Sequence, residues 1–89
     1  MRSRTTRSFR EAFRSLPVDI QVRARKAHAL FLKNPRHPSL RFKKVHTVEP
    51  VFSARISAGY RALGVVGADQ VVWFWVGGDR EYERLLRSL

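Results

Sequence analysis

The stretch Phe52-Ser53-Ala54-Arg55-Ile56-Ser57-Ala58-Gly59-Tyr60-Arg61-Ala62-Leu63-Gly64-Val65-Val66-Gly67-Ala68-Asp69-Gln70-Val71-Val72-Trp73-Phe74-Trp75-Val76 decides the fold class. Phe52, Ala54 and Ile56 alternate with Ser53, Arg55 and Ser57, the period of a strand with one buried face. Ala58-Gly59 predicts a tight turn, and Tyr60–Val66 a second strand running back along the first. Gly67-Ala68-Asp69 turns the chain again into Gln70–Val76, which is apolar at positions of both parities. Such a run belongs at the centre of a sheet or in a strand covered on both sides. Gly77-Gly78 is expected to end it, and Asp79 stands where it can cap a closing helix over Arg80–Leu89.

Toward the N-terminus the period changes from two to that of a helix. Ser8-Phe9-Arg10-Glu11 has the form of a capping box, and Phe9, Ala12, Phe13 and Leu16 make the apolar stripe of a helix over Phe9–Leu16. Pro17 suits the first turn of a second helix, Val18–Asn34, which turns Ile20, Ala24, Ala27 and Phe31 inward and leaves Arg23, Lys26 and Lys33 outside. Pro35 and Pro38 stop it, and a weaker strand is expected over Arg41–Val45. Almost nothing joins the two helices, so they should form an antiparallel hairpin. The whole chain, residues 1–89, therefore reads as one α+β domain: an N-terminal helical hairpin packed on a three- to four-stranded antiparallel sheet, with a short C-terminal helix. The sheet's second face must hold at least one of the rings Trp73, Phe74 and Trp75. Either the closing helix covers it, or it is an exposed docking surface.

Composition narrows the function. The chain has no cysteine, which excludes a disulfide scaffold and any Cys-ligated zinc or iron–sulfur site. Its longest apolar run, Val71–Val76, is far too short to span a bilayer, and the basic start Met1–Arg7 is followed by no apolar leader. A cytoplasmic protein with no membrane partner is expected. The formal net charge is +11, unevenly placed: residues 1–45 hold 13 Lys and Arg against 2 Asp and Glu, whereas residues 46–89 hold 5 of each. A charge so concentrated points to nucleic acid, or second to an acidic protein partner.

The residues that can carry chemistry are few. There is no P-loop and no dinucleotide fingerprint, and His28, His37 and His46 lack metal-ligand spacing, so neither metal nor cofactor is expected. His46 follows Lys43-Lys44 and can either reach a phosphate or simply be solvated. Arg55 and Arg61 flank a short turn, which sets their strands side by side. Two neighbouring guanidinium groups either converge on one phosphate or are neutralised separately by Glu49, Asp69 or a helix C-terminus.

Three ordered motifs then carry a family resemblance. Leu30-Phe31-Leu32-Lys33-Asn34-Pro35-Arg36-His37-Pro38-Ser39-Leu40-Arg41-Phe42-Lys43-Lys44-Val45 is similar to the helix-to-sheet junction of the RelE/ParE superfamily of toxins. Ser53-Ala54-Arg55-Ile56-Ser57-Ala58-Gly59-Tyr60-Arg61-Ala62-Leu63 resembles their hairpin, and Val76-Gly77-Gly78-Asp79-Arg80-Glu81-Tyr82-Glu83-Arg84-Leu85-Leu86 their closing segment. The resemblance implies the toxin of a type II toxin–antitoxin system, silenced by a cognate acidic antitoxin. RelE-like members are similar to ribosome-dependent mRNA endoribonucleases that need no metal; ParE-like members inhibit DNA gyrase, and a degenerate member would only bind RNA or protein. On the RelE-like pattern Arg55 and Arg61 would hold the scissile phosphate. Tyr82 would stack on a base or hold the leaving group, and Glu81 or Glu49 would act as base. Arg41, Lys43, Lys44 and His46 would then follow the RNA backbone. One position departs from the pattern: Asp79 stands where the family usually has His. An aspartate is ionised at neutral pH and makes a poor proton donor, so either Asp79 is only a helix cap, or proton transfer is weaker or done elsewhere.

Overall fold

In a computed structural model that describes residues 1–89, one five-stranded sheet carries two helices on one face and a third on the other. In chain order the elements are β1 (Arg2–Thr5), α1 (Arg7–Arg14), α2 (Val18–Lys33), a 3-10 turn (Pro38–Leu40), β2 (Lys43–Lys44), β3 (Val51–Ser57), β4 (Tyr60–Val66), β5 (Gln70–Gly78) and α3 (Asp79–Ser88). The strand order is β1-β5-β4-β3-β2. The expected meander is present as β3-β4-β5, with β2 antiparallel on its edge.

β5 owes its two-sided apolar sequence to a bulge. Leu63 pairs with Trp75 but the next residue, Gly64, pairs with Trp73, which leaves Phe74 as an extra residue in β5. The slip keeps Val71, Trp73 and Val76 in one core with Phe31, Leu40, Ala54 and Ala62 beneath α1 and α2. Phe74 and Trp75 pack on the other side with Val51, Leu63 and Tyr82. Gly64 is needed at this crossing, because a Cβ there would stand 2.7 Å from Val71 Cγ2 and 2.8 Å from Trp73 Cε3.

The strand absent from the sequence reading is β1, which pairs parallel with β5 from Arg2↔Gln70 to Thr5↔Trp73. It has no apolar pattern because it is a short edge strand whose side chains are mostly exposed. Polar bonds hold it instead. The Trp73 indole N–H donates to Ser3 Oγ (2.9 Å), which also lies 2.9 Å from His28 Nε2, so β1, β5 and α2 meet at one hydroxyl.

This strand also corrects the start of α1. Thr6, whose backbone N–H is still bonded to Trp73 O, is the N-cap, and its Oγ1 accepts from the Phe9 amide at 3.1 Å. The expected capping box does not form: Ser8 Oγ donates to Phe74 O, and Glu11 pairs with exposed Arg7 at 3.0 Å. Two other boundaries shift. Arg41 ends the 3-10 turn in the left-handed region at φ 45°, which shortens the expected Arg41–Val45 strand to Lys43–Lys44. At the far end Gly77 and Gly78 do not break β5; both pair with β4, opposite Arg61 and Tyr60.

The closing helix settles the fate of the second face. Tyr82, Leu85 and Leu86 of α3 lie over Val51, Leu63, Phe74 and Trp75, so the aromatic part of that face is covered by the chain itself. Because a Cβ at Gly64 would meet Val71 and Trp73 so closely, Gly64→Ala will lower the unfolding free energy in urea by about 1–3 kcal/mol, the usual cost of overpacking. Gly67→Ala, where the nearest heavy atom stands 3.8 Å from the new carbon, will leave it nearly unchanged.

Candidate functional site

The β3–β4 hairpin brings Arg55 and Arg61 directly opposite one another, as the sequence predicted. Both fall on the α3 side of the sheet, because Arg55 alternates with Ala54 and Arg61 with Ala62, which face α1 and α2. Like charges facing each other across two strands repel, and neither Glu49 nor Asp69 lies within ion-pairing distance of either. Arg61 is held instead by the backbone: its Nη1 donates to Ser57 O at 3.4 Å and to Tyr60 O at 3.3 Å.

The nearest carboxylate is that of Asp79, the first residue of α3. Its Oδ1 stands 4.0 Å from Arg61 Nε, too far for a hydrogen bond, and is buried with no hydrogen-bond partner although the side chain as a whole is 48% exposed. The expectation that Asp79 caps the helix is corrected. Gly78 is the N-cap and no side chain caps it; what anchors the start of α3 is the Asp79 amide donating to Gly59 O at 2.9 Å. That bond ties α3 to the β3–β4 turn, where Gly59 adopts φ 91°. An orphaned acceptor therefore sits near Arg61, one of two facing cations.

The other expected site residues divide. Lys43 pairs with Ser53 and shares its side of the sheet with Arg55, whereas Lys44 pairs with Phe52 and belongs to the opposite side. A diagonal offset of this kind places Lys43 roughly 7–8 Å from Arg55 along the sheet. Tyr82 is only 8% exposed; its ring stacks on Trp75 with centroids 6.4 Å apart, over Val51 and Leu63. Glu81 is exposed and accepts from Trp75 Nε1 at 3.4 Å. Trp75, which the sequence reading counted only as one of three rings, thus positions both α3 residues. Gly77 lets that ring lie flat, since a Cβ there would stand 2.5 Å from Trp75 Cζ2.

His46 and Arg41 lie outside this cluster. Nδ1 of His46 accepts from the amides of Glu49 (2.8 Å) and Val48 (3.2 Å), and Nε2 stands 3.2 Å from the terminal Leu89 O. With both nitrogens occupied, the ring clasps the loop before β3 to the end of α3. Arg41 is exposed in its loop and Glu49 in the turn before β3. No three histidine or acidic side chains come together to hold a metal ion, and no helix is long and apolar enough to cross a membrane.

What the cluster can do follows from its charges. Two guanidinium groups and one ammonium, against one half-exposed carboxylate, form a cluster of donors whose charges a bridging anion would offset.

No protein-family model matches the sequence, and no curated protein is significantly similar to it. Solved structures are. A chain of the RelB–RelE antitoxin–toxin complex from Methanococcus jannaschii superposes with a TM-score of 0.75 at 14% identity, covering 92% of this chain and 96% of that one. The isolated RelE toxin of E. coli gives a TM-score of 0.67 at 19% identity over 99% and 98%. A chain of the RelBE2 toxin–antitoxin complex from Mycobacterium tuberculosis gives 0.61 at 26% identity over 86% and 88%. The chain has the fold of the RelE-like toxins.

Because the Arg61–Asp79 contact is long and partly solvated, the double-mutant cycle of Arg61→Gln and Asp79→Asn should show a coupling below about 1 kcal/mol in thermal or urea unfolding.

Proposed function

We propose that this chain is the toxin of a type II toxin–antitoxin system and cuts mRNA on the ribosome without a metal ion. Its fold is that of RelE-like toxins, and two of the structures quoted above are antitoxin–toxin complexes. The observation that carries the chemistry is the Arg55↔Arg61 pair, set on one sheet side beside a carboxylate oxygen with no partner.

In the proposed reaction a ribose 2′-oxygen attacks the adjacent phosphorus and the 5′-oxygen leaves, so the product end is a 2′,3′-cyclic phosphate. Arg55 and Arg61 hold the non-bridging oxygens and oppose the charge that grows on them in the transition state. The solvent-exposed part of the Asp79 carboxylate accepts the 2′-hydroxyl proton, while its buried Oδ1 faces Arg61. It is better placed than Glu81, whose Oε1 receives the Trp75 indole N–H, and than Glu49 on its distant turn. The departing 5′-oxygen takes its proton from water or from a donor supplied by the ribosome. Lys43 reads the same backbone from the reaction side and Lys44 from the sheet edge. Tyr82, buried with its ring stacked on Trp75, supports the arginine side of the sheet rather than stacking on a base. His46 and Arg41 belong to the outer RNA track, with His46 acting through the loop it fixes. An acidic antitoxin matches the basic half of the molecule.

Induced expression without an antitoxin should arrest growth, with cuts at defined codons in ribosome-bound mRNA. Arg61→Ala should relieve the arrest and slow cleavage by about 10²–10³-fold, the usual worth of one preorganised donor. Arrest with intact message and failing DNA supercoiling would replace this reading with gyrase inhibition, and harmless overexpression would leave a binding protein only. In a cleaving protein, Asp79→Asn will lower the single-turnover rate while leaving RNA affinity intact or raised, since it removes a negative charge from beside the phosphate.

A further inference from the structure

A second feature lies on the other side of the sheet from Arg55, Arg61 and Asp79. Between the two N-terminal helices and the strands is an apolar cavity of about 190 Å³. The sequence explains it. Ala24 and Ala27 of α2 face Ala54 of β3 and Ala62 of β4, so two packed layers meet through their smallest side chains and leave a gap. Phe31, Leu40 and Trp73 close the remaining walls. The exposed lining residues Thr5, Arg25 and His28 mark where it reaches solvent. An engineered apolar cavity of about 150 Å³ stays dry and takes up benzene, so a space this size and this apolar suits a single ring better than water.

The surroundings of the opening select the ligand further. Phe9, Phe13 and Arg25 line both the cavity and an open groove on the outside of the hairpin, whose other members include Arg10, Arg14 and Gln21. The Arg25 guanidinium carbon lies 5.0 Å from the Phe13 ring centroid, over the wall shared by the two. None of Arg10, Arg14 and Arg25 has a carboxylate within ion-pairing distance. Arg10 is nonetheless oriented, since its Nη1 donates to Thr5 O at 2.9 Å and to Thr5 Oγ1 at 3.1 Å. An apolar chamber thus opens beside unpaired arginines.

We infer that this chain binds a small aryl or short-chain carboxylate, its apolar body in the cavity under α2 and its anionic end on Arg25. The ring displaces no ordered polar contact there, and the carboxylate supplies the partner Arg25 lacks. The site is separate from the arginine pair across the sheet, so binding does not depend on cleavage.

The test titrates the intact protein with 3-phenylpropanoate and with its neutral amide, following the Trp73 indole N–H resonance and the melting temperature at low salt. Trp73 lines the cavity and donates to Ser3, so occupancy shifts its signal. The acid should bind about tenfold tighter than the amide, the worth of one hydrogen bond to a charged group. Arg25→Gln should cancel that preference and leave amide binding unchanged. Ala54→Leu should abolish both, with folding confirmed by circular dichroism; if that variant fails to fold, Ala27→Leu at the half-buried edge serves the same end. Absence of any response at millimolar ligand, equal affinity for acid and amide, or undiminished binding by a folded cavity-filled variant would each overturn the proposal.

Discussion

Everything in this molecule hangs on the bulge at Phe74. Without it β5 would present Trp73 and Val76 on opposite sides and could not close a core under α1 and α2. With it, one strand supplies Val71, Trp73 and Val76 to the helical layer and Phe74 and Trp75 to the layer under α3. A small chain has few residues to bury, so a strand that contributes to both layers relieves a shortage that length alone imposes. The bulge also sets where the site falls. Beyond it the register runs Trp75, Val76, Gly77, Gly78 opposite Leu63 down to Tyr60, which delivers Asp79 to the end of the hairpin that carries Arg61.

The sequence revealed the fold where local chemistry and global packing agree. The alternation in Phe52–Ser57 and the double-sided run Val71–Val76 have no good alternative to strands, and the stripe through Ile20, Ala24 and Phe31 none to a helix. β1 was illegible because nothing in Arg2-Ser3-Arg4-Thr5 is apolar; its place depends on backbone bonds to β5 and on one serine hydroxyl, neither of which leaves a pattern. The capping box was misleading for a related reason. Thr6 and Ser8 are both competent caps, and the choice between them was made by a strand bond at Thr6 that only the fold supplies.

The placement of the two strand arginines was legible to the same degree. A turn between two arginines implies a cross-strand pair, and the structure has one. What spacing cannot convey is the third dimension: that Lys43 shares the arginine side while Lys44 does not, that His46 spends both ring nitrogens on its own loop and chain end, or that the Tyr82 ring lies under Trp75. Each depends on parity or burial, which a one-residue change of register would reverse.

The charges divide into a diffuse set and a local one. Of the 18 lysines and arginines, only Arg7 and Arg61 lie within 4.0 Å of a carboxylate. The surplus falls in residues 1–45, on the edge strand, the helices and the junction after them, whereas the half that holds Arg55, Arg61 and Asp79 is neutral overall. A folded chain keeps so many unpaired cations at the expense of self-repulsion, which an anionic partner removes. Within the neutral half the repulsion is instead concentrated at one point, two arginines facing each other with a carboxylate just out of bonding reach. A diffuse surplus serves association with a large polyanion, because its worth grows with the number of phosphates covered. A local pair of facing arginines, with one carboxylate 4.0 Å from Arg61, is instead a repulsion that a single bridging anion would relieve for both charges at once.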